Sequence, residues 1–344
     1  MSKSLRPNYA KLQLGSGTDV RKNRRLDEKA RDGTTILEPE GRGEQAMMNI
    51  SQIKKIGVAG AGMMGNQIAE VLSRVGGFQV VLVDLNDELV NRGLQAIDSR
   101  LEKFFVAKGK LTADDKKQIL KRIVGTASLE KGVNDVDILI EAVLENMSIK
   151  KDIFKRADEN APLHAILASN TSYLNVTEMA SATKRPDKVV GMHFFNPPGM
   201  MKLVEIPRAA LTSDATVETI KALAVKLGKE PVVCTDSSYG FLANRVYAPM
   251  RMEAVQMVWE RVASPADIDH AVKLGFNLPM GPLELSDRIG SWGIQATSEE
   301  ERLRELGEKG RIHPLVRMMI RAGYTGGVGK KGIYDFWEEV LSRR

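Results

Sequence analysis

The stretch KKIGVAGAGMMGNQIAEVLSRVGGFQVVLVD, residues 54–84, decides the fold. Residues 54–59 read as a buried strand, 64–75 as a helix and 79–84 as a second buried strand. A strand, helix and strand of this size form one βαβ unit. Between the first strand and the helix stands Gly60-Ala61-Gly62-Met63-Met64-Gly65, a G-x-G-x-x-G turn. Such a hexapeptide alone is weak evidence, because glycines also serve ordinary turns. Here it follows a strand, opens a helix and precedes a strand ending in Asp84, which is the context a dinucleotide site requires. Gly60 permits the tight turn, Gly62 lets the backbone approach a pyrophosphate, and Gly65 lets helix and strand pack closely, with Met63 and Met64 in the same turn. The helix N-terminus offers unpaired N–H groups to the pyrophosphate. Asp84 is placed to accept hydrogen bonds from ribose hydroxyls and to repel a 2′-phosphate, so NAD is expected rather than NADP.

Downstream, strand-like runs recur at 137–143, 165–169, 189–195 and 202–207, with helical segments such as 150–159 between the first of them. From 88 to 122 the chain is polar and amphipathic, with Leu94, Ile97, Leu101 and Phe105, then Ile119 and Ile123, at helical spacing. Thr112 to Asp115 has the form of a helix start, threonine as N-cap and acids in the first turn. This alternation predicts an α/β fold, a Rossmann-type doubly wound sheet with a more antiparallel tail, over 51–238. Beyond Gly240 strand signals stop, and helices such as 245–261 and 265–274 make 239–344 an all-helical C-terminal domain. Upstream, residues 1–50 read as a disordered N-terminal extension, with scattered glycines, dense charge and no apolar period. They lack the apolar core of a signal peptide, and Asp27, Glu28 and Asp32 interrupt their basic character. A shorter product starting at Met47 or Met48 is a second reading.

Half of the formal net charge of +6 sits in residues 1–52, which leaves too little elsewhere for a basic groove, and no nucleic-acid partner is expected. No apolar run reaches the ~18 residues of a membrane span. The single Cys234 excludes an intramolecular disulfide framework and a cysteine-cluster metal site. No metal is expected, and a reducing, cytoplasmic location fits.

NAD implies hydride transfer, and oxidising an alcohol also requires a group that takes its proton. Histidine titrates nearest working pH, and the chain has four. His164 lies in a proline-containing connection, His270 sits among Asp267 and Asp269 on a helix face, and His313 precedes Pro314. These read as surface or capping residues. His193 instead ends an apolar strand, in Gly191-Met192-His193-Phe194-Phe195-Asn196-Pro197-Pro198-Gly199. If the next strand returns antiparallel about Gly199, Glu205 falls opposite His193, where it would fix the imidazole tautomer. The residues alone leave a structural ion pair or a core histidine equally open.

Ser169-Asn170-Thr171-Ser172, His193-Phe194-Phe195-Asn196-Pro197, Met201-Lys202-Leu203-Val204-Glu205 and Gly240-Phe241-Leu242-Ala243-Asn244-Arg245 resemble, in order, the motifs of the NAD-dependent L-3-hydroxyacyl-CoA dehydrogenase family. Glu141-Ala142-Val143-Leu144-Glu145-Asn146 and Met280-Gly281-Pro282-Leu283-Glu284-Leu285 belong to the same pattern, which runs from about 52 to 335. The resemblance implies reversible oxidation of an L-3-hydroxyacyl-CoA to the 3-oxoacyl-CoA, in fatty acid metabolism such as β-oxidation. It implies His193 as general base oriented by Glu205, with Ser172 and Asn244 on the substrate oxygens and Asn196 also at the substrate. Glu145, Lys150 and Asn170 would lie along the cofactor. The family's helical domain implies a homodimer. The polar helices over 88–122 would help cover the CoA, with Lys103, Lys108 and Lys110 toward its phosphates, although a solvated face explains those lysines equally well.

Departures from the family pattern fall near the domain junction. Asp236-Ser237-Ser238-Tyr239-Gly240-Phe241 is one residue longer than the usual Asp-x-Pro-Gly-Phe and lacks its proline, Tyr173 stands where a second serine is common, and Asp287 to Gly293 replaces a familiar Asp-x-x-Gly-Leu-Asp. Tyr173, Tyr239 and Trp292 are therefore candidates to shorten the acyl pocket or stack on a ring. The rival 3-hydroxyisobutyrate or 6-phosphogluconate type of dehydrogenase needs a lysine where this chain has Asn244. A dehydrogenase of free hydroxyacids or sugar acids on the same His–Glu framework is a closer rival. A non-catalytic NAD-binding structural protein is the alternative from another class.

Overall fold

The computed structural model describes residues 48–343. Six strands form one parallel sheet in the order β3-β2-β1-β4-β5-β6: β1 Lys55–Ala59, β2 Gln79–Val83, β3 Ile123–Thr126, β4 Ile138–Glu141, β5 Ile166–Ser169 and β6 Val189–Gly191. Its crossovers carry α1 Met63–Arg74, α2 Asp87–Leu101, α3 Ala113–Lys121, α4 Leu129–Val133, α5 Met147–Asn160 and α6 Val176–Ala180. Alternate residues of each strand feed opposite faces. Val80 and Leu82 join one core cluster with Ile138 and Ile140, while Val81, Val83 and Leu139 join the cluster on the other side. Burial on both faces explains why these strands read as unbroken apolar runs. The strand order reverses between β1 and β4, so a crevice opens at their carboxyl ends, where Gly60–Gly65 and Glu141–Glu145 lie.

Two expectations about strands need correction. Ile123 begins β3 and does not extend the helix before it. In that four-residue edge strand only Ile123 is buried, too little for a strand pattern to show. Residues 189–195 do not form one strand. The chain leaves the large sheet at Met192, whose N–H donates to the Ser169 carbonyl at 2.7 Å, and β7 His193–Phe194 joins a second sheet. That sheet has the order β7-β8-β9, with β8 Leu203–Arg208 and β9 Glu230–Thr235, and α7 Asp214–Lys226 between them. Only the β7–β8 pair is antiparallel, and β8–β9 is parallel, so the antiparallel tail is a single pair.

The expected helix start at Thr112 is a full capping box: the Asp115 N–H donates to Thr112 Oγ1 at 3.0 Å, and the Thr112 N–H to Asp115 Oδ2 at 2.9 Å. From Ala243 onward the described residues form only helices and turns: α8 Ala243–Trp259, α9 Pro265–Phe276, α10 Pro282–Ile289, α11 Ser291–Thr297, α12 Glu299–Leu306, α13 Pro314–Arg321 and α14 Ile333–Phe336. They enclose a third core cluster in which Trp292 is fully buried. The Trp292 indole N–H donates to Asp287 Oδ1 at 2.5 Å, so Trp292 fills the helical core and cannot shape an acyl pocket. The extension read over 1–50 lies outside the described residues except at its end. There Met48 and Ile50 pack against the first core cluster, so those positions belong to the fold.

Candidate active site

Gly60 has φ +101°, and a Cβ there would meet the Ala142 carbonyl oxygen at 2.6 Å. A Cβ on Gly65 would stand 1.7 Å from the Gly60 oxygen. The fold itself thus demands both glycines. Gly62 differs: its φ is −65°, and a Cβ there would meet nothing within 4 Å. Only a ligand close to that backbone would require glycine, and the α1 N-terminus beside it has no side-chain cap. The turn therefore fits a dinucleotide pyrophosphate. Asp84 braces the turn from the end of β2, its Oδ2 accepting from the Ala61 N–H at 2.7 Å and its Oδ1 from the Leu85 N–H at 2.7 Å. Met63 is exposed at the mouth of the turn, and Met64 packs against the first core cluster.

Across the crevice, Lys150 Nζ lies 2.7 Å from Glu141 Oε1 and 3.2 Å from Glu145 Oε2. Lys150 is only 1% exposed, so it does not line the crevice as expected but supports Glu145 from beneath. Glu145 Oε1 accepts from Thr171 Oγ1 at 2.7 Å and from the Ser172 and Tyr173 N–H groups at 2.8 and 3.0 Å. Desolvation pushes the Glu145 carboxyl up, but the Lys150 ammonium and these donors outweigh it and hold it below the usual range. Burial likewise pulls Lys150 down, and the two glutamates more than restore it. Ser172 is thus held at the crevice by its backbone, and its hydroxyl makes no hydrogen bond among the described residues. Asn170 Oδ1 accepts from the Phe194 N–H at 2.8 Å, tying β5 to β7. Glu141 and Thr171 were not singled out in the sequence. A carboxylate closing the apolar strand Ile138–Glu141 was the available signal for the first.

The antiparallel pairing about Gly199 is present, with His193 opposite Glu205. His193 Nδ1 lies 2.9 Å from Glu205 Oε2, and both residues are buried. Burial pushes the Glu205 carboxyl up, but the His193 hydrogen bond and the Ala243 N–H outweigh it, leaving it below the usual range. An ionised carboxylate can only accept, so Nδ1 carries a proton, and in the neutral imidazole Nε2 is then the acceptor. The other oxygen, Oε1, accepts from the Ala243 N–H at 2.8 Å, the first residue of α8. Asn244 follows in the same first turn. Phe195 packs on the imidazole at 4.5 Å between ring centroids. Asn196 is exposed, its Nδ2 3.7 Å from Met63 Sδ, which places it beside the glycine turn. His313 caps α13 by accepting from the Leu315 N–H at 3.1 Å, His164 pairs with Asp137 at 3.0 Å, and His270 is exposed, away from this arrangement. Lys103, Lys108 and Lys110 are exposed, the first two flanking Phe104 at 5.4 Å. Among the described residues no acidic, cysteine or histidine cluster could hold a metal, and no helix is long and apolar enough to cross a membrane.

Both Glu145 and Glu205 have lowered folded values. Their stabilisation is complete above the ordinary glutamate value of 4.5 and is lost as pH falls through the folded values. The melting temperature should therefore drop below about pH 4.5. A Glu205→Gln variant should lose part of that dependence, and an acid limb identical to wild type would show that the pair contributes nothing.

The glycine turn lies at the switch point of the parallel sheet, and the comparisons with known proteins give the class, an NAD-dependent dehydrogenase. Family models for the NAD binding domain and the C-terminal domain of 3-hydroxyacyl-CoA dehydrogenase match residues 55–237 and 240–336. The 3-hydroxybutyryl-CoA dehydrogenase of Clostridioides difficile is 43% identical over 283 residues, which cover 82% of this chain and 99% of that one. The mitochondrial hydroxyacyl-coenzyme A dehydrogenase of Homo sapiens is 41% identical over 244 residues, covering 69% and 76%. Among solved structures, (S)-3-hydroxybutyryl-CoA dehydrogenase from Ralstonia eutropha aligns with a TM-score of 0.75 at 41% identity, over 82% of this chain and 98% of that one. The chain belongs to the 3-hydroxyacyl-CoA dehydrogenase family, and its cofactor is NAD.

Proposed function

We propose that this protein oxidises an L-3-hydroxyacyl-CoA with His193 as the general base. The observation that carries this reading is the 2.9 Å contact between His193 Nδ1 and Glu205 Oε2, which leaves Nε2 ready to accept a proton. The C3 hydroxyl proton passes to Nε2, and the buried Glu205 stabilises the imidazolium as it forms. Gly60–Gly65 would hold the pyrophosphate of NAD and Asp84 its adenosine ribose, and the cofactor would supply the acceptor for the hydride that leaves C3. Glu141, Lys150 and Glu145 together carry one net negative charge beside the crevice, which suits a cationic nicotinamide ring. Ser172 and Asn244 would hold the substrate oxygens, with the exposed Asn196 beside the glycine turn. One well-aimed donor to a developing oxyanion contributes about 3 kcal/mol.

A homodimer through the helical part is consistent with exposed Val246 on α8 and exposed Leu274 and Phe276 on α9. A cytoplasmic location belongs to the same reading. The test is NADH formation from L-3-hydroxybutyryl-CoA, compared with free 3-hydroxybutyrate and sugar acids. Turnover of the thioester alone supports the proposal. Turnover of the free acids alone overturns it, and NADH binding without turnover of anything would return the chain to a nucleotide-binding protein.

A further inference from the structure

Tyr173 and Tyr239, two of the departures from the family pattern, stack at 4.9 Å between ring centroids, beside Ser172 and Gly240. Two buried guanidinium groups lie near them. Arg251 is on α8, seven residues beyond Asn244 and so on the same face of the helix. Arg302 is on α12. Each is only 8% exposed. Among the described residues neither is paired with a carboxylate. Arg251 Nε is buried without a hydrogen-bond partner, and so is Gln295 Nε2. Arg302 Nη1 has one long bond, 3.4 Å to Gln295 Oε1. The acids nearby are engaged elsewhere: Glu299 with Arg317 at 2.7 Å and the Ile312 N–H at 3.1 Å, Glu301 with Arg304 at 2.8 Å, and Glu145 with Lys150 and Thr171.

The tyrosines lie within the field of these arginines, Tyr173 of both and Tyr239 of Arg302. Burial, with the Arg251 charge beside it, pulls Arg302 below its ordinary value. Arg251 has the Tyr247 ring 5.5 Å from its guanidinium carbon, a contact that does not neutralise its charge. A buried charge without a counter-ion is strongly unfavourable until an anionic partner completes the set. Every unsatisfied atom named here is a donor, so the missing partner is an acceptor with negative charge. The planar fork of arginine matches a carboxylate best.

We propose that Arg251, Arg302 and Gln295 receive a carboxylate at the far end of the acyl chain. The preferred substrates are then 3-hydroxyacyl-CoA thioesters of dicarboxylic acids. This rests on the reading above, in which Asn244 and Ser172 hold the reacting end. Seven helical residues span about 10 Å, and the arginine side chain leans back toward the helix N-terminus, which suits an acyl chain of roughly six to eight carbons. The stacked tyrosines wall the methylene segment between the two ends.

The test compares kcat/KM for the six-carbon 3-hydroxy-ω-carboxyacyl-CoA, 3-hydroxyhexanoyl-CoA and 3-hydroxybutyryl-CoA, in wild type and in Arg251→Met and Arg302→Met. The wild type should favour the carboxylated chain over its uncharged six-carbon counterpart by about 100-fold or more, and each variant should reduce that ratio at least about tenfold. Melting temperatures of the unliganded variants should equal or exceed wild type, because each loses an unpaired charge. Equal kcat/KM for the two six-carbon chains in wild type overturns the carboxylate site while leaving acyl-CoA oxidation standing. An unchanged ratio in both variants, with light scattering showing loss of a dimer, also overturns it and assigns the arginines to acids of a second copy. No turnover of any thioester, with NADH still bound, defeats both readings together.

Discussion

Replacing His193 by glutamine should lower kcat by about 10³-fold while NADH affinity stays within about twofold of wild type. Glutamine keeps a donor for Glu205 and a similar volume, so packing against Phe195 survives. It cannot accept a proton at working pH, and general acid–base catalysis is worth roughly 10²- to 10⁴-fold. The dinucleotide turn belongs to β1 and α1, whereas His193 begins β7, so the two functions separate structurally. NADH fluorescence titration and initial rates with 3-hydroxybutyryl-CoA give the two numbers. Equal losses of binding and rate would make His193 a structural residue. A rate loss below about tenfold would mean that some other group takes the proton.

The second large effect separates two glycines of one turn. Gly65→Ala places a methyl carbon 1.7 Å from the Gly60 carbonyl oxygen, a backbone atom that cannot move without separating α1 from β1. The cost should exceed the ~1–3 kcal/mol of ordinary overpacking, a large share of the ~5–15 kcal/mol that holds a typical domain together. Melting temperature and NADH binding should fall together. Gly62→Val adds more bulk, yet into open space at φ −65°. Its melting temperature should match wild type apart from a small β-branching effect near the helix start. Its NADH affinity should fall at least about tenfold, because the new side chain occupies the pyrophosphate's approach. Wild-type affinity in Gly62→Val would show that no ligand comes close to that backbone.

How much of this was legible follows from burial. β1, β2, β4 and β5 have core on both faces, so their apolar runs were plain in the sequence. β3 and β9 are edge strands with most residues at least partly exposed, and they left no such trace. The His193–Glu205 pairing was readable because the two positions are equidistant from Gly199, and a strand pair fixes what stands opposite. Glu145 and Lys150 came only through the family resemblance, since their approach depends on how the turn after β4 packs on α5. The Ala243 N–H that holds Glu205 is a backbone donor, and no side-chain pattern announces one. Arg251, Gln295 and Arg302 lie on three different helices, and only the packing of α8, α11 and α12 brings them together. Trp292 shows the opposite error: its placement beside a departing motif suggested a pocket, whereas its size filled a core.

Glu205 divides its two oxygens between the imidazole of one half of the molecule and a peptide N–H of the other. A movement that swung α8 outward would therefore loosen the carboxylate and, with it, the angle of the ring it steadies. Alignment of the base becomes a report on whether the two halves are seated, so an open molecule would idle instead of oxidising stray alcohols. Chimaeras that borrow a foreign helical half inherit the same condition: however well they fold, they need a peptide donor at that one spot before the imidazole is set.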